Sequence, residues 1–218
     1  MNKIIRKIQY SEKVYRFDVE APLIAKSRKA GNFVIIRVDA NSERMPLTIA
    51  DADTEKGTIT LVVQKVGLSS TKLCNLNEGD EIHDVVGPLG NPTHIENFGT
   101  VLCAGGGVGV APMLPIIKAL KAAGNRVLSV IAGRSKDLVI MEDEVRASSD
   151  ELIIMTDDGS YGEKGVVTVG MEKLIQQEHI DKAFAIGPPI MMKFCCLLTQ
   201  KYNLPTDVSL NTIMVDGT

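Results

Sequence analysis

Four glycines fall within five positions of one short stretch, Val101-Leu102-Cys103-Ala104-Gly105-Gly106-Gly107-Val108-Gly109-Val110-Ala111-Pro112. An apolar run enters this stretch and a helix-forming run leaves it, so it reads as a strand turning through glycine into a helix. Glycine lets the backbone turn sharply and come close to a ligand, while the first N–H groups of a helix, at the positive end of its dipole, favour a pyrophosphate. Pro112 suits the first helical position, where an N–H would have no intrahelical acceptor, and Gly124 suits the stop. The pattern Gly107-x-Gly109-x-x-Pro112 lacks the third glycine of the usual dinucleotide fingerprint and carries little alone. Four glycines nevertheless exceed what a tight turn demands, which favours the ligand-binding reading over a bare turn.

The surrounding rhythm supplies the context. After Gly99, apolar runs at Val101 to Ala104, Val127 to Ala132, Leu152 to Met155 and Ala183 to Ile186 alternate with helical stretches. The helices are expected at Pro112 to Ala123, Val139 to Ala147, Val169 to Gln177 and Ile190 to Gln200. Such alternation implies a parallel, Rossmann-like sheet covered on both faces. Ligands of open α/β sheets bind outside the carboxyl ends of the strands, which singles out Gly133-Arg134-Ser135-Lys136, Asp157-Asp158-Gly159-Ser160 and Gly187-Pro188-Pro189-Ile190-Met191. An acid usually meets the adenosine ribose at the first of these loops. Arg134, Ser135 and Lys136 stand there instead, able to hold a ribose hydroxyl or a 2′-phosphate, so NADH and NADPH both stay open; a solvated loop fits the same residues. Asp157 and Asp158 suit either a ligand-facing loop or a plain turn.

The first hundred residues have a different texture. Six β-rich runs, Ile4 to Tyr10, Val14 to Val19, Phe33 to Val38, Leu47 to Ala50, Thr58 to Val66 and Glu81 to Val86, are separated by turn residues, as in a small six-stranded antiparallel barrel. Gly, Pro and Asn cluster between Asn91 and Gly99, which sets the expected domains at residues 1–97 and 98–218. Within the β-rich half, Arg44-Met45-Pro46-Leu47-Thr48 joins a permanent cation, a φ-restricted proline and a hydroxyl at the start of a strand. Arg44 could pair with a phosphate while Thr48 and the backbone meet a planar ring; an edge-strand beginning is the plainer reading. Val63-Gln64-Lys65-Val66-Gly67-Leu68-Ser69-Ser70-Thr71 ends a strand with a glycine and three hydroxyls, suited to a second pyrophosphate at a helix start or to a capped turn alone.

Composition excludes several classes. Lys and Arg total 24 against 27 Asp and Glu, a net charge of −3, with no basic track for nucleic acid. The uncharged run Phe98 to Ile117 holds five Gly and two Pro, unlike a lipid-facing helix, and Met1 to Lys7 leads into no apolar signal segment, so a cytoplasmic protein without a membrane anchor is expected. The four cysteines, Cys74, Cys103, Cys195 and Cys196, form no CxxC pair, and three scattered histidines add no ligand spacing; free buried thiols and no metal site are expected. No His–carboxylate or Ser–His–Asp spacing suggests acid–base or nucleophilic catalysis.

Taken in order, these pieces resemble the ferredoxin reductase superfamily, in which a flavin-binding barrel precedes a nicotinamide-binding α/β domain. The resemblance covers essentially all 218 residues. Arg44-x-Pro46-Leu47-Thr48 is similar to the family's flavin motif and Gly67 with Ser70-Thr71 to its flavin pyrophosphate loop. Gly105 to Pro112 resembles the nicotinamide loop, and Gly187-Pro188 with Met191 resembles the Gly-Pro-x-x-Met element near the nicotinamide. Pro46 in place of an aromatic, Gly87-Pro88-Leu89-Gly90, Gly133 to Asp137 and the ending Leu210 to Gly217 narrow the resemblance to two groups. These are the electron-transfer subunits of dihydroorotate dehydrogenase, of pyrimidine biosynthesis, and the small subunits of NADH-dependent ferredoxin:NADP oxidoreductases and sulfide dehydrogenases. Pro46-Leu47-Thr48 and the Met-Val-Asp-Gly ending favour the second.

The resemblance implies an oxidoreductase that passes a hydride between NAD(P)H and FAD and then single electrons to a catalytic partner subunit, in a heterodimer or heterotetramer, or to ferredoxin. It implies cofactor contacts from Arg44 to Thr48, at Val63, Gln64, Lys65, Gly67, Ser69, Ser70 and Thr71, and at Gly105, Gly106, Gly107, Val108, Gly109 and Pro112. Arg134, Ser135, Asp157, Asp158, Gly159, Gly187, Pro188 and Met191 complete the set, with Thr48 hydrogen-bonded near the flavin N5 as the catalytic residue. Family members continue into a cysteine-rich lobe with a [2Fe-2S] cluster, whose ligands this chain lacks. Two rivals remain at this point: an NAD-only dehydrogenase whose β-rich half binds substrate, and a non-catalytic interaction subunit that kept the fold.

Overall fold

The computed structural model describes residues 2–210. The ending from Asn211 quoted above lies outside them. The chain packs as two compact units that divide between Thr93 and His94.

The first unit is a seven-stranded antiparallel sheet built from β1 (Asn2–Gln9), β2 (Val14–Glu20), β3 (Phe33–Arg37), β4 (Met45–Asp53), β5 (Thr58–Gln64), β6 (Glu81–Ile82) and β7 (Asp84–Leu89). Their spatial order is β6-β1-β2-β5-β4-β3-β7. The two edge strands, β6 and β7, are consecutive and separated only by His83, so the sheet curls into a half-barrel to let one stretch of chain serve both edges. Six strands were expected. The run Glu81 to Val86 breaks at His83, whose N–H bonds to Val38 O, and supplies two. The alternating inward strand residues, among them Ile4, Phe17, Ile36, Ile49 and Leu61, form one core. Two helices accompany the sheet, α1 (Pro22–Ser27) and α2 (Leu68–Asn75). Pro22 opens α1 at its first position and Ile24 and Ala25 are buried beneath it. A helix of six residues is too short to show a 3.6-residue period, so no helical pattern is legible there.

The second unit is a parallel sheet of β8 (Thr100–Gly106), β9 (Arg126–Gly133), β10 (Glu151–Thr156), β11 (Glu163–Lys164), β12 (Lys182–Ile186) and β13 (Thr206–Val208), joined by α3 (Val110–Ala122), α4 (Glu142–Ser148), α5 (Val167–Gln177) and α6 (Pro189–Lys201). The spatial order β11-β10-β9-β8-β12-β13 means that the chain builds outward from β8 in one direction, then returns to lay β12 on its other side. Leu102, Ala104, Leu128 and Val130 turn toward α5 and α6, which supply Met171, Leu174, Cys195 and Leu198 to the same cluster. The alternate strand residues Val101, Cys103 and Val127 are equally buried and face the side covered by α3 and α4.

Three boundaries depart from expectation. The α3 helix starts at Val110 behind a 3-10 turn at Gly107–Gly109, so Pro112 is its third residue; that position still lacks an intrahelical acceptor and the proline costs nothing there. The α4 helix starts late because Lys136–Leu138 forms a 3-10 turn and Met141 takes φ 56°. Strands β11 and β13, of two and three residues, carry too little pattern to read. The uncharged run Phe98 to Ile117 becomes strand, turn and helix; among the described residues no helix is long and apolar enough to cross a membrane.

One buried side chain ties the start of β8 to the end of α3. Asn125 Oδ1 accepts the N–H groups of Phe98 and Gly99 at 2.7 and 3.2 Å, and Nδ2 donates to Glu96 O and Leu120 O at 2.8 Å each. Asn125 is 3% exposed, so its removal takes four hydrogen bonds from a buried junction, where Gly99 N–H still has Asn97 Oδ1 and Leu120 O still has the Asn125 N–H but Phe98 N–H and Glu96 O lose their partner. Asn125→Ala is expected to lower the unfolding free energy by about 2–4 kcal/mol, given ~1 kcal/mol for each net hydrogen bond. Urea denaturation followed by circular dichroism checks this, and a loss under about 0.5 kcal/mol, the scale of surface substitutions, would contradict it.

Candidate functional site

The expected site residues fall into two sets, one on each unit. On the first, the key feature is a strand that changes partners. Residues Met45, Pro46, Leu47 and Thr48 of β4 pair with β3, opposite Ile36, Ile35, Val34 and Phe33. From Ile49 onward β4 pairs with β5 instead, Ile49 opposite Leu61 and Asp53 opposite Thr58. Among the described residues no ladder pair joins Met45–Thr48 to Val62, Val63 or Gln64, which pair only with β2. The two strands therefore part beyond Ile49 and leave backbone donors and acceptors along both margins of the gap. Pro46, which has no N–H to strand, is tolerated at that margin.

Arg44 lies in the loop just before this segment and is exposed, and Thr48 is half-buried at its far end. A gap margined by backbone N–H and C=O groups, with a cation at one end and a hydroxyl at the other, fits a planar polar-edged ring bearing a phosphate tail.

The other margin runs into α2. Gly67 precedes the helix in extended conformation, and a Cβ there would meet nothing within 4 Å. Ser70 Oγ accepts the N–H groups of Val66 and Gly67 at 3.0 and 2.9 Å and donates to Gly67 O. The hydroxyl of Ser70 is thus committed to holding the turn. The N–H groups of Leu68, Ser69 and Ser70, at the first helical positions, have no intrahelical acceptor and point the positive end of α2 outward. Thr71 and Lys65 line the cavity beside this terminus, together with hairpin residues that the sequence reading did not single out. Pairing β2 with β5, Val14 opposite Gln64, is the step that would have revealed the hairpin.

On the second unit, the ends of β8 and β12 meet where the strand order reverses, with Gly105 opposite Ile186. The α3 helix starts against that junction. A Cβ on Gly109 would lie 2.5 Å from Ile186 O and 2.7 Å from Gly187 Cα, so only hydrogen fits. Gly107 adopts φ +54° with open space around it, which lets the backbone turn from strand to helix with its surface bare. Met191, on the first turn of α6, covers Gly106 and Gly187, where any Cβ would collide with its thioether end. Gly105, Gly106, Gly109, Gly187 and Met191 are thus brought together, Pro188 caps α6, and Val108 and Pro112 are half-buried beside the turn. A reversal crevice with a glycine floor and a helix N-terminus at its end fits a pyrophosphate-bearing dinucleotide.

The loops after β9 and β10 are stitched together at the same sheet edge. Asp157 and Asp158 donate their N–H groups to Gly133 O and Arg134 O, and Lys136 N–H donates to Ser160 Oγ at 2.9 Å. The Ser135 hydroxyl donates to Asp137. The hydroxyl and N–H of Ser160 hold the Asp158 carboxyl below the usual carboxylate range, so Asp158 shapes its own turn, which Gly159 completes at φ +77°. Arg134 and Asp157 stay exposed. Tyr161, also unanticipated, anchors this corner: its hydroxyl donates to Glu142 at 2.9 Å and Lys136 Nζ lies 5.2 Å from its ring centre.

The four thiols are unbridged, with Cys74, Cys103 and Cys195 buried; burial pushes Cys195 up to about 12. Among the described residues no group of His, Cys, Asp or Glu could hold a metal, so the present cysteines do not fit an iron–sulfur cluster.

Comparison with known proteins identifies the family. Residues 3–94 match the oxidoreductase FAD-binding domain family. The dihydroorotate dehydrogenase B (NAD(+)) electron transfer subunit homolog of Thermotoga maritima is 50% identical over 218 residues, all of this chain and 77% of that protein. The electron transfer subunit of dihydroorotate dehydrogenase B from Streptococcus pneumoniae R6 is 32% identical over 88% of this chain and 75% of its own length. A chain in the solved NADH-dependent reduced ferredoxin–NADP oxidoreductase superposes with a TM-score of 0.94 at 46% identity, covering 100% of this chain and 79% of that one. Phthalate dioxygenase reductase, at 20% identity and a TM-score of 0.72, shares the fold. The chain belongs to the family of dihydroorotate dehydrogenase B electron-transfer subunits and their homologues, which takes in the matching subunit of ferredoxin–NADP oxidoreductase.

Proposed function

We propose that this chain is a flavoprotein electron-transfer subunit that oxidises a nicotinamide dinucleotide, with FAD on the first unit and the dinucleotide on the second. The observation that carries the reading is the reversal crevice, where Gly109, Ile186 and Gly187 approach so closely that no side chain fits. The parted β4 and β5 strands, within the residues that match an FAD-binding family, support the flavin half.

Bound FAD supplies the conversion between hydride transfer and single-electron transfer, chemistry that belongs to the cofactor. The residues position and polarise. Arg44 offers a free guanidinium to a phosphate, and the first turn of α2 offers three N–H groups to a pyrophosphate. Met45, Pro46, Leu47, Val63, Gln64 and Lys65 flank the ring with backbone groups, while Thr48 presents a hydroxyl to its polar edge. On the second unit Gly105 to Gly109 and the start of α3 hold the dinucleotide pyrophosphate. Gly187, Pro188 and Met191 bound the reactive end, and Arg134, Ser135 and Asp157 serve the adenosine end. The named relatives use NAD(+) or NADH, which supports NADH as the reductant. Their description as electron-transfer subunits supports a catalytic partner subunit or ferredoxin as the electron acceptor.

The purified protein is expected to be yellow, to release FAD on acid treatment and to bleach on anaerobic addition of NADH. A colourless protein that takes up no flavin would favour an NAD-only enzyme or a non-catalytic subunit. Arg44→Ala is expected to weaken FAD binding by at least about tenfold, as for a lost charge-assisted hydrogen bond; full flavin stoichiometry after gel filtration of dilute protein counts against the contact. Thr48→Val should keep FAD bound yet slow its reduction by NADH roughly tenfold in stopped flow, the effect of ~1.4 kcal/mol in the barrier. An unchanged rate removes Thr48 from that role.

A further inference from the structure

Helix α6 turns an apolar stripe outward. Ile190, Phe194 and Leu197 are 61%, 54% and 46% exposed and recur at the i, i+4, i+7 spacing that aligns side chains on one helix face. Met192, Cys195, Leu198 and Thr199 form the opposite face and are buried. The packing of α6 on the sheet is thus complete without the stripe, where a surface helix ordinarily places polar residues.

The charges around the stripe have one sign. No Asp or Glu occurs between Asp181 and Asp207. Lys201 continues the stripe four residues beyond Leu197 and Lys193 flanks it; both are exposed, and their ammonium groups make no ion pair or hydrogen bond among the described residues. Charge and area decide what such a face receives. A second copy of this chain would bring the same lysines and no carboxylate against it. The three apolar side chains expose on the order of 300 Å² together, taking ~150–250 Å² for each whole side chain, against the ~800 Å² per partner of a stable interface. A small apolar surface rimmed by free cations instead matches a transient encounter with an acidic protein, the class in which redox partners fall.

We infer that the outer face of α6 docks a small acidic electron-carrier protein, whose apolar patch meets Ile190, Phe194 and Leu197 and whose carboxylates meet Lys193 and Lys201. The inference rests on the proposed function and adds to it a place for the acceptor. Ile190 adjoins Met191, which the proposed function assigns to the reactive end of the dinucleotide, so a carrier seated on the stripe lies beside the source of its electrons.

The test titrates the FAD-loaded full chain with a bacterial ferredoxin, a small acidic carrier, by calorimetry at about 20 and about 300 mM salt, with cytochrome c as a basic carrier for contrast. Ferredoxin should bind at micromolar concentration in low salt and at least about tenfold more weakly in high salt, and cytochrome c should not bind. Lys193→Glu combined with Lys201→Glu should weaken ferredoxin binding about tenfold or more in low salt, and Phe194→Ser about fivefold at either salt. NADH-driven ferricyanide reduction should stay within about twofold in these variants, whose altered side chains are exposed and lie outside the proposed cofactor contacts. Unchanged affinity in the variants, or equal binding of cytochrome c, overturns the docking face, as does a dimer of this chain in sedimentation that Phe194→Ser dissolves. Unaltered protein that reduces ferricyanide yet binds no ferredoxin overturns the inference and leaves the proposed function standing. Protein that cannot reduce ferricyanide with NADH overturns the proposed function with it.

Discussion

The contact between Gly109 and the end of β12 governs what the second unit can do. Because β12 lies next to β8 at the reversal, the helix leaving β8 must pass directly over the carboxyl end of β12. It does so at a distance that leaves room for a hydrogen and not for a methyl, 2.5 Å from Ile186 O to where a Cβ would stand. Any larger residue would lift α3 away from the sheet, unpacking Val110, Met113 and Leu114, which are at most 1% exposed. The placement of the helix dipole over the crevice and the burial of the α3 face are therefore one requirement.

The first unit solves a related problem by a different route. A sheet whose strands are all paired presents side chains, and its backbone polar groups are consumed by ladders. Here β4 gives its first half to β3 and its second half to β5, and the opposite half of β5 pairs only with β2. Backbone groups are thereby left over inside a curled sheet, where a ligand with a polar edge can meet them. The Phe17, Ile36 and Leu61 core holds the curl on the other face, so the gap does not close on itself.

Much of this was legible. Val101 to Pro112 announced both strand and turn because glycine clustering has few structural uses, and the change of hydrophobic rhythm at Gly99 announced the parallel sheet. The short elements were not legible for a physical reason: α1, β11 and β13 contain too few residues for a period to repeat. The split at His83 depends on the curl of the whole sheet, a tertiary property. Ser70 and Asp158 illustrate a second limit of sequence reading. Their hydroxyl and carboxylate look available in a string of letters, yet in the fold each is occupied by neighbours at its own turn, Ser70 with Val66 and Gly67 and Asp158 with Ser160. Lys13 shows the converse, a residue with no local motif that strand pairing carries to a helix start.

The distribution of perturbed titratable groups bears on the kind of chemistry performed. Enzymes that work by proton transfer concentrate shifted groups in the site. Here they lie mainly in ion pairs that fasten the fold. The Glu178 hydrogen bond raises Arg126 and in return Arg126 lowers Glu178; Lys121 lowers Asp150; Glu142 raises both Arg146 and Tyr161. Arg16 loses stabilisation to burial and more than regains it from hydrogen bonds to Asp18 and Tyr10. These pairs fasten strand starts, helix surfaces and the strand pair β2 and β5. Asp158, the one shifted group in the expected set, owes its shift to its own turn. The glycines and the methionine of the second unit, and separately the backbone margins and the cation of the first, offer little with which to move protons, which suits a flavoprotein electron-transfer subunit whose chemistry is carried by its cofactors.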